Sequence, residues 1–305
     1  MIKIFGHSGP DTDATCSALI WKWYLTETRG KDARAFVQGP PNSEAMFVLK
    51  RWGVEVPEIL GPLSADDEVV IVDTNNPGEL PDNINDTNIA EVIDHHQLAG
   101  GLKTRGPIKF TIRPVAATAT VMHWLIGRDM EKAPDWVKGL MLSCILSDTL
   151  EFRSPTTTPQ DRKIAAELAD ELGIDISAYA KEMFAAKSDV SAFSEAELLR
   201  ADSKIFEIGG MKLRVSVLET TAPEVVLARK GALLAAMSDV AAEDGVDQVL
   251  LFVVDILREE ATLLIPNDTV RAIAAKSFGT QVDSDHVVLP GIMSRKKQII
   301  PSLKV

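Results

Sequence analysis

Within the stretch Lys3–Ala18, KIFGHSGPDTDATCSA, one imidazole and two carboxylates fall in a single turn: His7, Asp11 and Asp13. An apolar run, Ile2 to Phe5, precedes them and a helical pattern follows, so they sit at the carboxyl end of a first strand, where open α/β sheets bind ligands. Asp and Gly-Pro are ordinary turn formers, and the group gains meaning only from partners elsewhere. The apolar run Glu68–Val72 ends at Asp73, Ile89–Ile93 ends in Asp94-His95-His96, and the helical pattern Asp135–Ser147 runs into Asp148. Adjacent histidines at a strand end serve no packing purpose. Two or three imidazoles with four carboxylates make a mixed nitrogen–oxygen set that suits Mn²⁺, Mg²⁺ or Co²⁺, while ligand type alone leaves Zn²⁺ open. The set is too large for one open catalytic ion. It fits two metals about 3.5–4 Å apart bridged by a carboxylate, the arrangement used for in-line displacement at phosphorus.

Alternating strands and helices must hold these groups in place, which predicts an α/β fold. The amino-terminal part reads as a doubly wound, mostly parallel sheet. A smaller carboxy-terminal α/β domain with a mixed sheet follows, and the active site is expected in the cleft between them. The boundaries expected are 1–187 for the first domain, a polar linker at 188–193, and 194–305 for the second. Periodicity predicts a helix over Thr12–Thr28, a strand at Ala35–Val37, and an amphipathic helix Ser43–Trp52 with Ser43 as its N-cap and Gly53 past its end. Further helices are expected at Ala116–Gly127, Pro159–Leu172 and Ile176–Ala186. In the second domain a helix at Ser194–Ala201 leads to strands at Lys204–Ile208, Leu213–Leu218, Gln248–Val254 and Ala261–Ile265, with one long helix over Pro223–Ala242.

Hydrophobic content of 46% and charged content of 25% in 305 residues describe a soluble globular chain. A net charge of −12 argues against a nucleic-acid or anionic-membrane surface. The two cysteines, Cys16 and Cys144, lie in apolar helical patterns and read as buried thiols in a reducing compartment. There is no signal-peptide core and no apolar run of about 18 residues, so the expected location is cytoplasmic. Against this acidic background Arg295, Lys296 and Lys297 stand together between apolar Leu289 and Ile299-Ile300. Arg295 can grip a phosphate bidentately and Lys296 as a point charge, and Lys204 adds another cation. A metal cluster facing such a clamp describes a phosphoryl-transfer cleft.

These residues resemble the manganese-dependent (family II) inorganic pyrophosphatases of the DHH phosphoesterase superfamily along essentially the whole chain. The resemblance lies in GHSGPDTDA at 6–14, VDTNN at 72–76, IDHHQ at 93–97, SDTLEFRSPTTT at 147–158 and SRKKQ at 294–298. It implies that His7, Asp11 and Asp73 hold a first Mn²⁺ and that Asp13, Asp73, His95 and Asp148 hold a second, with Co²⁺ an alternative metal. It implies further that His96, Lys204, Arg295 and Lys296 bind the phosphates of pyrophosphate, that Mg²⁺ arrives with the substrate, and that the protein is a homodimer. Hydroxide formed from a water between two cations near neutral pH would attack one phosphorus in line. The family usually has His where Thr74 stands, and a larger pair where Ser8-Gly9 stands. The nucleotide-sensing insert that some relatives carry is absent. Two rival readings keep the same residues: another DHH phosphoesterase, such as an exopolyphosphatase, and a non-catalytic metal- or polyphosphate-binding protein.

Overall fold

The apolar run ahead of His7 is β1 (Ile2–Phe5), with Ile4 and Phe5 sealed from solvent. The computed structural model describes residues 1–305. From β1 the chain continues through α1 (Thr12–Trp23), β2 (Ala33–Val37), α2 (Ser43–Arg51), β3 (Glu58–Ile59), β4 (Glu68–Val72), β5 (Asn88–Asp94) and β6 (Lys109–Ile112). Four helices, α3 (Thr118–Ile126), α4 (Asp135–Thr149), α5 (Pro159–Leu172) and α6 (Ile176–Lys187), complete a unit that spans Met1–Lys187. Its strands lie in the order β3-β2-β1-β4-β5-β6, and every neighbouring pair is parallel. The chain works outward from β1 to β3 and then crosses back to β4 on the other side of β1. The sheet's topological switch point therefore lies between β1 and β4, where loops diverge and leave a crevice.

Burial explains why β4 is apolar throughout its last four residues, as a parallel strand covered on both faces must be. One face of the sheet carries Phe5, Ile71, Ile89 and Val92, closed over by Leu80 and Ile84 from the turns that follow β4. α1 packs on α3, α4 and β2, and all but one of its residues are buried. Its helical path continues to Thr28 as expected, but the last stretch, Tyr24–Thr28, widens into a π-turn. The expected cap of α2 is corrected. Asn42, not Ser43, accepts the Ala45 amide at 2.8 Å, because the Ser43 hydroxyl turns to the Lys187 carbonyl at 3.5 Å.

The second unit spans Ser188–Val305. It contains α7 (Glu195–Arg200), β7 (Ser203–Ile208), β8 (Met211–Thr220), α8 (Pro223–Leu227), α9 (Lys230–Asp244), β9 (Gln248–Asp255), β10 (Glu260–Leu264), α10 (Asp268–Phe278) and β11 (His286–Pro290). The strand order is β11-β10-β9-β8-β7, with β8 and β9 parallel and the other pairs antiparallel. This is the mixed sheet that the sequence predicts. Side chains of β9 alternate between two cores: Leu250, Phe252 and Val254 join α10 and the carboxy-terminal segment, and Leu251 and Val253 join α7 and α9. The single helix expected over Pro223–Ala242 is two helices broken at Ala228-Arg229. Arg229 is turned aside to bond Glu195 at 2.7 Å and the Val190 carbonyl at 2.8 Å. No helix of the chain is long and apolar enough to cross a membrane.

Candidate metal centre

The turn after β1 is pressed onto α1: a Cβ at Gly6 would stand 2.7 Å from the Cβ of Ala14, so only glycine allows this close approach. The turn delivers His7 and then Asp11, whose Oδ1 caps α1 through the Ala14 amide at 3.0 Å. Asp73 follows β4 in the left-handed region (φ 59°), a conformation that Asp tolerates better than most residues. Its amide still bonds the Ile93 carbonyl of β5 at 2.9 Å, which aims its carboxylate between β1 and β5. His7 Nε2 lies 3.6 Å from Asp73 Oδ2 and 3.6 Å from Asp11 Oδ1, and His95 Nε2 lies 3.4 Å from Asp73 Oδ1. Each oxygen of Asp73 thus faces a different imidazole. Around it the ligand-type atoms gather into three overlapping sets, His7–Asp11–Asp73, Asp73–His95–His96 and Asp13–His95–Asp148, each within 4.8 Å.

The imidazoles are oriented by the nitrogen that does not face the cluster. His7 Nδ1 bonds the Ser8 carbonyl at 2.9 Å and His95 Nδ1 bonds the Val115 carbonyl at 3.2 Å. Both must donate there, which turns each Nε2 toward the carboxylates, the nitrogen that ligates a metal once its proton is lost. His96 differs: its Nδ1 bonds Asp94 Oδ1 at 2.8 Å and its ring is 52% exposed. Asp94, fully buried, also accepts the amides of His95 and His96 at 2.7 and 3.0 Å and an Asn75 amide hydrogen at 2.5 Å. It fixes the whole His-His turn. The Thr74 hydroxyl goes to Glu79 Oε2 at 2.6 Å and reaches no ligand.

Asp13 is a carboxylate with almost all its capacity in use. Oδ2 accepts the Thr118 amide at 2.6 Å, and Oδ1 accepts the Ala119 amide at 3.3 Å and the Ser17 hydroxyl at 2.9 Å. A carboxylate has about four acceptor sites, so one remains. Asp148, in the last turn of α4, has an enclosed Oδ2 with no hydrogen-bond partner at all. Three consecutive left-handed residues after it, Leu150, Glu151 and Phe152, close the helix end. Such a run is costly for L-residues and marks a segment shaped for a purpose.

Electrostatics tell the same story. Burial, with the charges of Asp73 and Asp11, pushes Asp13 up to about 7. Burial and the charges of Asp13, Asp73 and Asp11 raise Asp148 well above the usual carboxylate range. Burial alone would raise Asp73 too, but the nearby rings of His7 and His95 hold it well below that range. The carboxylates of Asp11 and Asp73, each 3.6 Å from Nε2, push His7 up to about 11; His95 is lowered by burial but carried to about 9 by Asp73 and Asp13. The cluster recruits protons to offset its own negative charge. Divalent cations supply that charge instead, so the donor set and the orphaned Asp148 oxygen fit a hard metal pair.

A pH dependence follows with a definite sign. His7 and His95 are raised above their ordinary 6.5, so they stabilise the metal-free fold fully below that pH, and this contribution fades as pH climbs through about 9 for His95 and about 11 for His7. In excess chelator the melting temperature should fall steadily from pH 7 to pH 9. Added Mn²⁺ should reverse the trend, because deprotonated ligands bind it. A chelated protein that grows more stable over this range contradicts the cluster as described.

The second unit places its cations separately. Lys204 from β7 and Arg295 and Lys296 from the carboxy-terminal segment line one cavity of about 630 Å³, together with Asp202 and Glu219. Arg295 donates from Nη1 to the Asp202 carbonyl and from Nη2 to Asp202 Oδ1 at 2.7 Å. Residues 295–299 form a π-turn capped by Ser294, which turns the basic run back onto β7.

Of the predicted residues, His7, Asp11, Asp13, Asp73, His95, His96 and Asp148 come together in the first unit, and Lys204, Arg295 and Lys296 in the second. Asp94, Thr118 (whose hydroxyl bonds Asp73 Oδ1 at 3.0 Å) and Asp202 take part without having been predicted. The signal for Asp94 was its place beside the two histidines; Thr118 offered none.

The fold and its cluster define a two-unit protein of the DHH type: residues 1–147 match the DHH family N-terminal domain and residues 181–305 the DHHA2 domain. A Deinococcus radiodurans protein named "Probable manganese-dependent inorganic pyrophosphatase" is 41% identical, the match covering 100% of this chain and 98% of that one. A Bacillus licheniformis protein of the same name is 35% identical over 99% of this chain and 97% of its own length. Among solved structures, a Methanococcus jannaschii protein described as a family II inorganic pyrophosphatase superposes with a TM-score of 0.62 at 32% identity, covering 99% of this chain and 98% of that one. The chain belongs to the manganese-dependent, family II inorganic pyrophosphatases.

Proposed function

We propose that this chain hydrolyses inorganic pyrophosphate to two phosphates at a pair of Mn²⁺ ions, one held by His7, Asp11 and Asp73 and one by Asp13, Asp73, His95 and Asp148. The observation that carries this reading is Asp73, whose two oxygens face the two ligand sets across the switch point of a parallel sheet. When bound, such a pair lowers the pKa of water and screens phosphoryl charge. The chain's own groups do the rest. His96 has Nδ1 tied to Asp94, so its exposed Nε2 edge is the one available to a phosphate oxygen. Lys204, Arg295 and Lys296 neutralise charge on the equatorial and leaving oxygens, with Mg²⁺ carried in by the substrate. No covalent intermediate is required, and no side chain in the cluster is placed as a nucleophile.

The deciding experiment strips the protein with chelator, reloads it with Mn²⁺, Co²⁺ or Mg²⁺, and measures phosphate release from pyrophosphate, tripolyphosphate and a dinucleotide. Hydrolysis of pyrophosphate should be fastest with Mn²⁺ and fall by at least about a thousandfold on chelation, in keeping with the several kcal/mol of charge stabilisation that metals supply. Preference for tripolyphosphate would move the chain to the exopolyphosphatase reading. Silence on all three substrates with Mn²⁺ bound would refute the enzyme altogether.

A further inference from the structure

A second carboxylate, outside the ligand sets, is buried beside them. Glu44 on α2 has no solvent exposure. Its Oε2 accepts the Thr12 hydroxyl at 2.8 Å and the Ser147 hydroxyl at 2.6 Å, with Lys187 Nζ at 3.5 Å, while Oε1 has no hydrogen-bond partner. The two hydroxyls belong to the residues that directly precede Asp13 and Asp148. One oxygen atom therefore ties the first turn of α1 to the last turn of α4, the two helices that supply the carboxylates of the Asp13–His95–Asp148 set. The start of α2 is itself seated on the turn after β1, with the Asn42 amide donating to the Pro10 carbonyl at 3.1 Å. A buried carboxylate held by two hydroxyls and one half-exposed lysine is an expensive way to join two helices, since an apolar contact would pack them as well. What an apolar contact cannot do is fix the rotation of both helix ends about one point.

We infer that Glu44 is a positioning residue that sets the spacing of Asp13 and Asp148, and through it the occupancy of the second metal position. The inference rests on the metal reading above. Lys187, the last residue of α6, balances the charge, and its carbonyl is also bonded by Ser43, so the end of the first unit is anchored to the same clasp.

The test uses the full-length protein titrated with Mn²⁺ alone and followed by electron paramagnetic resonance, beside kcat and KM for pyrophosphate. Wild-type protein should show a spin-coupled pair. Glu44→Ala should show an isolated ion, with the weaker of the two Mn²⁺ affinities reduced about 10–100-fold, the range seen when partners of metal ligands are removed. Glu44→Gln keeps a carbonyl oxygen for both hydroxyls and should restore the coupled signal and most of kcat. Should Glu44→Ala fail to fold, Ser147→Ala removes only one arm of the clasp and should give a smaller loss of the same affinity. A coupled signal and unchanged Mn²⁺ affinities in folded Glu44→Ala, or in Ser147→Ala where that is the variant available, would overturn the inference. Wild-type protein that binds a coupled pair yet leaves pyrophosphate intact would refute the enzymatic reading and leave the clasp standing.

Discussion

Asp73→Asn should lower kcat for pyrophosphate by at least about 10³-fold, equivalent to roughly 4 kcal/mol of transition-state stabilisation. The substitution is chosen because little else changes. Asparagine tolerates the left-handed backbone at this position, and its Oδ1 can still accept the Thr118 hydroxyl now 3.0 Å away. Removing the charge also relieves repulsion on Asp13 and Asp148, both of which Asp73 pushes upward. The metal-free protein should still fold, although His7 and His95 lose one anionic partner and part of the stability they lend it. What is lost is the one carboxylate proposed to serve both metal positions, so equilibrium dialysis should find fewer than two tightly held Mn²⁺ ions per chain. Retention of more than about a tenth of wild-type kcat, with two ions bound, would remove Asp73 from the centre of the mechanism.

Arg295→Ala should lower kcat/KM by about 10²-fold, the usual consequence of deleting one donor aimed at developing charge on oxygen. Two of the five guanidinium N–H groups are engaged by Asp202, which fixes the plane of the fork and leaves three for phosphate. Stability should scarcely move, because the Asp202 side chain is 63% exposed and water replaces its partner. Lysine at this position should rescue little, since it cannot reproduce a planar fork pinned at one edge. Values of kcat and KM within threefold of wild type would mean that the cavity lined by Lys204, Arg295 and Lys296 does not hold substrate.

The α/β fold with its parallel and mixed sheets was legible because β1, β4, β5 and β9 are short apolar runs bounded by turn residues, and the first three end where the candidate ligands begin. The ligand-type residues were legible for a related reason: Asp73, His95 and Asp148 stand at the ends of apolar stretches, where packing gives no cause for an acid or an imidazole. Less was written where tertiary contacts decide. The break between α8 and α9 involves neither Gly nor Pro and comes from Arg229 reaching Glu195 and Val190. Glu44 looked like an ordinary acidic residue in the first turn of an amphipathic helix, and only its enclosure by Thr12 and Ser147 shows otherwise. α10 and β11 were not foreseen, although Asn267 and Gly279 bracket α10 as an N-cap and a left-handed C-cap. There the signal was present and unread.

Helix α3 begins without a cap of its own: the residue before it, Ala117, has no side-chain oxygen, and the Thr118 and Ala119 amides point at Asp13 instead. One carboxylate therefore starts a helix and offers its remaining lone pair to the cluster. Neither an imidazole nor a thiolate could fill both offices, because neither presents two oxygens to a pair of amides. Any move toward a softer ligand at position 13 would first unseat α3. The taste of the site for hard cations is inherited from its scaffolding.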